Sequence, residues 1–319
     1  MTDRPQKARK RPRLTRADRD RLVEEIARIE AGSAAARPPR RTLPPRPGTP
    51  PPDLSDLRHA LADDAAEVDY IDPTEAPLPR IVDLWPALPR VALDKRTLAR
   101  NLVITAARTD PAYAAFDVLR TRLVQAMADH GWTRVAITSP TRGCGKSFAA
   151  ANLALTLSRY HDTRTALIDA DLRHPGLAGY LGLTAPAATG DYLRGQIAAE
   201  DWLLAVEPSG LQLGRHLAIG LNARAETYAA ELFQSGSTAD ALARLQQGLR
   251  PDVMLFDLPP ALDHDDVIAF RPHFDCVLMV VGGGITRASE VREAVRRIGE
   301  DRPVVGIVLN MADPGDDLA

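Results

Sequence analysis

Cysteine is almost absent from this chain of 319 residues; only Cys144 and Cys276 occur. Two thiols cannot form a disulfide framework, so the sequence predicts a protein of a reducing compartment. Aromatic residues are also scarce, at 5%, which leaves Leu, Val, Ile and Ala to build the core. No apolar run approaches the roughly 20 residues that a membrane-spanning helix needs. The basic N-terminus is followed by polar, charged chain rather than an apolar segment, so no secretory signal is expected. The predicted location is the cytoplasm, with peripheral attachment to the inner face of the plasma membrane left open. The net charge of −2 excludes no class of partner.

Lysine is the informative scarcity. Positive charge is carried almost everywhere by Arg, and Lys occurs only at Lys7, Lys10, Lys95 and Lys146. A compact ammonium and a planar guanidinium are not interchangeable. A lysine that persists inside the globular part therefore marks a site needing a point charge.

The near-neutral total hides a basic arm on an acidic body. Residues 1–50 hold fourteen Lys/Arg against six Asp/Glu. Within the arm, Thr15 to Glu30 reads as a helix: Thr15 can cap it, Gly32 can stop it, and Leu22, Ile26 and Ile29 share one face. The tract "RPPRRTLPPRPGTPPP" reads as extended linker. The expected organisation is a largely disordered, basic, Pro-rich arm over residues 1–100, with a short amphipathic helix at about 15–31, followed by one folded domain over 101–319. From about Asp110 helices and strands alternate. Ala112–Gly131, Ser147–Tyr160 and Thr286–Ile298 read as helices. Val135–Ser139, Thr165–Asp169, Val253–Phe256, Asp275–Val281 and Val304–Leu309 read as strands. Apolar runs without polar alternation suit strands buried on both faces. The predicted class is α/β: a mostly parallel sheet flanked by helices.

The strand "RVAITS" runs into "PTRGCGKS" and then into an apolar helix. This matches G-x-x-x-x-G-K-[ST] except that Pro140 replaces the first Gly. Gly143 and Gly145 let backbone N–H groups approach phosphate oxygens. The helix N-terminus adds free N–H groups and the positive end of its dipole. Lys146 can reach the β- and γ-phosphates, and the Ser147 hydroxyl can ligate Mg²⁺. Gly143, Cys144, Gly145, Lys146, Ser147 and Phe148 are the candidate ATP-binding residues of this loop. Cys144 reads as a small residue at a tolerant position; the alternative is a redox-sensitive thiol.

Three carboxylates follow apolar strands. Asp169 and Asp171 stand in "TALIDADLRHP", and Asp257 stands in "DVMLFDLPP". Asn310 ends another such strand, "GIVLN". Ligands of open parallel sheets bind beyond the carboxyl ends of the strands, so these residues are expected to meet Lys146 in one crevice. Carboxylates beside a bound Mg-nucleotide can hold the metal through its waters or take the proton from an attacking hydroxyl.

With these residues in place, the chain resembles the bacterial tyrosine kinases (BY-kinases) of capsule and exopolysaccharide synthesis, relatives of the partition and division-site P-loop ATPases. The likeness rests on the P-loop lacking its first Gly, on D-x-D-x-R at Asp169, Asp171 and Arg173, and on D-x-P at Asp257 and Pro259. It extends over roughly Ala112 to Met311, with smaller matches in "DYLRG", "AELFQS" and "GIVLN". The resemblance implies ATP and Mg²⁺ as cofactors. It implies catalytic roles for Lys146, Asp169, Asp171 and Asp257, metal ligation by Ser147, Asp169 and Asp257, and an adenine contact by Asn310. It also implies a partner, a membrane-anchored chain-length (co-polymerase) protein whose cytoplasmic end activates the ATPase.

Two features depart from the family. Its Tyr-rich C-terminal tail has no counterpart here, since the last tyrosine is Tyr228. Its subunit-contact motif E-x-x-R-x-x-R falls on Ala114, Asp117 and Arg120, of which only Arg120 matches. The sequence thus predicts hydrolysis, or transfer to a separate protein, rather than self-phosphorylation, and a degenerate ring contact if the chain forms a homo-oligomer. Two other readings compete: a positioning ATPase of the partition type, and a non-catalytic nucleotide-dependent scaffold. The partition ATPases' signature lysine would fall at Thr141, and nucleic acid is not an expected partner. For the arm, docking to a membrane surface or to an acidic partner tail, and a merely solubilising role, all stay open.

Overall fold

A computed structural model of the chain describes residues 83–103, 111–159, 163–208 and 213–312, together with residues 17, 21, 24–29 and 31 of the arm. Short apolar runs form eight strands: β1 (Arg90–Val91), β2 (Arg134–Thr138), β3 (Thr165–Asp169), β4 (Leu203–Val206), β5 (Leu217–Gly220), β6 (Val253–Asp257), β7 (Cys276–Gly282) and β8 (Val304–Asn310). They make one sheet in the order β1-β4-β5-β3-β6-β2-β7-β8. The six strands from β5 to β8 are parallel; β4 runs antiparallel to β5, and β1 follows β4.

Helices cover both faces. Counted from residue 83, they are α1 (Lys95–Arg100), α2 (Pro111–His130), α3 (Lys146–Ser158), α4 (Leu177–Leu181), α5 (Thr189–Leu193), α6 (Ala229–Gln234), α7 (Gly236–Leu249), α8 (Asp266–Ala269) and α9 (Ala288–Ile298). Successive strand residues point to opposite faces, so each central strand feeds two cores. Ala136, Ala166, Ile168, Met254 and Phe256 join one core, with Trp202, Phe233 and Phe270. Val135, Ile137, Leu167, Val253 and Leu255 join the other, with Leu153 and Leu157 of α3. This two-sided burial explains why the strands carry no polar alternation.

The expected helices and strands of the body appear within two residues of their predicted bounds, but β1, β4 and β5 were not anticipated. The domain also starts earlier than residue 101. Arg90 and Val91 pair with Ala205 and Val206, and the Trp85 indole N–H donates to the Leu249 carbonyl at 2.8 Å. Most of the arm, including the expected disordered tract, lies outside the described residues. Those that are described are helical where the amphipathic helix was expected. Ile26 and Ile29 pack against the first core. The buried Glu25 carboxylate accepts from Arg292 of α9 at 2.9 Å and from Arg28 at 3.0 Å.

Candidate nucleotide site

The loop from Ser139 to Gly145 joins β2 to α3 and lies beyond the carboxyl ends of the central strands. Gly143 and Gly145 have φ of 83° and 86°, backbone that side chains resist. At Gly145 space adds to the demand, because a Cβ would fall 2.1 Å from Asn310 Nδ2. α3 then starts at Lys146 with no side-chain cap, leaving first-turn N–H groups directed at the loop. Neighbouring elements hold the loop from behind. Asn310 Nδ2 donates to the Cys144 carbonyl at 2.9 Å. Cys144 Sγ donates to the Thr141 carbonyl at 3.1 Å and lies 3.3 Å from Thr286 Oγ1. Cys144 is buried, which agrees with a packing residue rather than an accessible thiol.

The sheet register brings the carboxylates together. Asp169 ends β3 and pairs directly with Asp257 at the end of β6. Asp171 follows two residues later. All three are buried, as is Ser147. Lys146 Nζ sits among them, 2.7 Å from Asp171 Oδ2 and 3.6 Å from Asp257 Oδ1, and donates to Ser147 Oγ at 3.3 Å. The other Asp171 oxygen accepts the His174 backbone N–H at 3.0 Å, and Asp169 Oδ2 accepts that of Leu177 at 3.3 Å. Asp169 Oδ1 and both Asp257 oxygens make no hydrogen bond among the described residues. Buried polar atoms are normally satisfied, so orphaned oxygens here face a site meant for something else.

Electrostatics follows from this crowding. Burial, then the neighbouring Asp257 charge, holds the Asp169 carboxyl well above the usual carboxylate range. Burial also raises Asp257, against the opposing pull of Lys146. Desolvation works to lower Lys146, but Asp257 and Asp171 more than offset it and keep the ammonium firmly charged. One cation thus balances part of a three-carboxylate cluster. The donors beside the loop are all oxygens, the set a hard divalent cation prefers. Among the described residues no three His, Cys, Asp or Glu side chains form a metal cage.

The family model of the CobQ/CobB/MinD/ParA nucleotide binding domain matches residues 135–318. The chain belongs to that nucleotide-binding family. EpsB of Ralstonia solanacearum, which bears the name of a tyrosine-protein kinase, is 30% identical over 223 residues, covering 70% of this chain and 28% of EpsB. The succinoglycan biosynthesis transport protein ExoP of Rhizobium meliloti is 29% identical over 185 residues, covering 56% of this chain and 22% of ExoP. The solved VpsO kinase domain superposes with a TM-score of 0.54 at 28% identity, covering 63% of this chain and 97% of that domain. The domain is therefore a BY-kinase-like member of the P-loop ATPases. The chain spans less than a third of the length of the curated relatives it matches.

Within this family frame, the expected site residues divide by position. Lys146, Ser147, Asp169, Asp171 and Asp257 come together, with Gly143, Cys144 and Gly145 beside them. Asn310 meets the loop through the Cys144 carbonyl. Phe148 faces the ring of Phe116 in α2, edge to face at 6.1 Å, so its side chain serves helix packing. Arg173 turns away from the carboxylates. Its Nε and Nη2 donate to the buried Asp266 at 2.7 and 2.9 Å, and its Nη1 donates to the Thr227 carbonyl at 2.9 Å. Arg120 pairs within its own helix with Asp117 at 3.2 Å. Tyr192 is buried, its hydroxyl donating to the Ala241 carbonyl at 3.0 Å, while Tyr228 is 66% exposed. Sequence reasoning missed Arg142, His174 and Asp263, which line the rim; in an Arg-rich chain a single loop arginine gives no signal.

Proposed function

We propose that this domain binds Mg-ATP and moves the γ-phosphate, by hydrolysis or onto a separate protein, as an ATP-dependent switch in exopolysaccharide or capsule synthesis. The observation that carries this reading is the Lys146 ammonium lodged among Asp169, Asp171 and Asp257 under a two-glycine phosphate loop. Backbone N–H groups at Gly143, Gly145 and the start of α3 would cradle the phosphates. Lys146 would exchange its ion pair with Asp171 for the β- and γ-phosphates, releasing that carboxylate to take the proton of an attacking water or hydroxyl. Ser147 would ligate the metal directly, while Asp169 and Asp257 would hold its waters. When bound, Mg²⁺ neutralises the charge that develops between the β- and γ-oxygens. Asn310, at the loop's edge, would meet the adenine.

The proposed partner is the cytoplasmic end of a membrane-anchored chain-length protein, with the basic arm meeting that tail or an anionic membrane surface. No helix among the described residues is long and apolar enough to cross a membrane. The test is calorimetric titration of the full chain with ATP and Mg²⁺, followed by release of labelled phosphate. Binding and turnover that vanish in Lys146→Ala support the reading. Absence of any ATP binding by the wild type would remove it.

A further inference from the structure

Arg142 precedes Gly143 in the phosphate loop, and no role above uses it. Its guanidinium leaves the loop on the solvent side, 53% exposed. Nε donates to the Asp263 carboxylate, carried on the chain after β6. Nη1 donates to His174 Nε2 at 3.1 Å, carried on the chain after β3. Because a guanidinium only donates, His174 Nε2 accepts there. The backbone N–H of His174 in turn donates to Asp171, whose other oxygen holds Lys146. Arg142 therefore ties together the P-loop, the D-x-D-x-R loop and the D-x-P loop. Its charge stands one residue away from the carboxylate that holds Lys146.

We propose that Arg142 is the residue that reads the terminal phosphate of the nucleotide. The inference rests on the nucleotide reading above. A phosphate served by Lys146 and transferred beside Asp171 lies within the swing of a side chain already seated against His174. The other nearby arginine, Arg173, is committed to Asp266 and faces away. The present partners of Arg142 are exchangeable. A half-exposed guanidinium and the partly exposed Asp263 are screened by water and hold each other weakly. A phosphate oxygen pair matches the planar fork better than a single carboxylate oxygen does. The clasp thus opens for a nucleotide that carries a third phosphate and stays shut over one that lacks it. Arg142 would set the preference for ATP over ADP and steady the transferring group.

The experiment compares a non-hydrolysable ATP analogue with ADP, both with Mg²⁺, by calorimetry on the full chain. The proteins are the wild type, Arg142→Ala, Arg142→Lys and Asp263→Asn, and each is first checked for an unchanged melting temperature. Arg142→Ala should lose about tenfold in affinity for the triphosphate while ADP stays within about twofold. Arg142→Lys should recover part of the loss. Asp263→Asn, which frees the guanidinium, should bind the triphosphate as tightly as the wild type or more tightly. Equal losses for both nucleotides in Arg142→Ala would reduce the residue to a loop brace and overturn the proposal. No loss for either would overturn it too. Failure of both nucleotides to bind the wild type would instead sink the nucleotide reading, and this inference with it.

Discussion

Lys146 Nζ lies 2.7 Å from Asp171 Oδ2, in a crevice where three carboxylates are buried and, among the described residues, one ammonium answers them. That relationship makes the lysine structural as well as functional. Lys146→Ala should lower ATP affinity at least tenfold, since ~1.4 kcal/mol is a factor of ten. A lysine that acted only on bound nucleotide would leave the melting temperature of the apo protein nearly unchanged. The ion pairs argue otherwise: removing the cation leaves Asp171 and Asp257 uncompensated and should cost about 3–5 kcal/mol. Thermal unfolding without nucleotide distinguishes the two expectations.

Asp169 presents the opposite trade. Its Oδ1 has no hydrogen-bond partner among the described residues, and Asp257 pairs with it across β3 and β6. Asp169→Asn removes a buried negative charge while keeping an oxygen for the Leu177 N–H. The apo melting temperature should rise by about 2–4 °C, the equivalent of roughly 1 kcal/mol, while Mg-dependent turnover collapses. A variant that melts lower than the wild type would show that the charge is better compensated than these contacts indicate.

Arg173 should act through stability. Its side chain is 22% exposed, but the Asp266 side chain it clamps is 1% exposed. Arg173→Met leaves a buried carboxylate alone and should cost about 3–5 kcal/mol, visible as a lowered denaturant midpoint. The double variant Arg173→Met with Asp266→Leu should recover much of that loss. A tenfold fall in ATP affinity with stability intact would instead assign Arg173 to the nucleotide.

His273 gives the fold an acid-side weakness. Its Nε2 faces the Phe233 carbonyl at 2.9 Å as a donor. Burial, then the Arg134 charge, lowers its pKa from 6.5. A base whose pKa is depressed on folding stabilises above its unfolded value, and that contribution is lost as pH falls through the folded value. Apo stability should therefore decline below about pH 6.5, and His273→Gln should flatten that decline. Melting curves between pH 7.5 and 5.5 provide the check; a parallel decline in both proteins would discount the histidine.

An arm that served only for docking would be dispensable for folding. Ile26, Ile29 and the Glu25–Arg292 bond give the described part of the arm a structural share. Removing residues 1–31 should lower the melting temperature by about 2–4 °C, as a loss of roughly 1 kcal/mol would. It should also abolish flotation with anionic vesicles, to which each basic residue contributes about 1 kcal/mol in low salt. Unchanged flotation would make the arm a solubilising tail.

The sequence alone determined the elements whose signals are local. β3 begins and ends where "TALID" does, because five buried apolar and strand-terminal residues leave no other pattern. "GCGKS" after a strand named the phosphate loop, since the demands of its two glycines on backbone conformation are written in the chain. Asp169, Asp171 and Asp257 were readable as strand-end residues. The short β4 and β5 were not, because four apolar residues fit a helix as well as a strand. β1 escaped because two residues carry no period at all; only pairing with β4 makes them a strand. Tertiary structure also decided which arginines matter. Arg173 and Arg120 stood out in the sequence only as motif positions and Arg142 not at all; the contacts Arg142 and Arg173 make with distant residues decide what each does. Asp263 and His174 lie 121 and 32 residues from Arg142 along the chain, and Asp266 lies 93 from Arg173. A charge takes its role from the partner the fold brings to it, and for these two arginines that partner lies far along the chain.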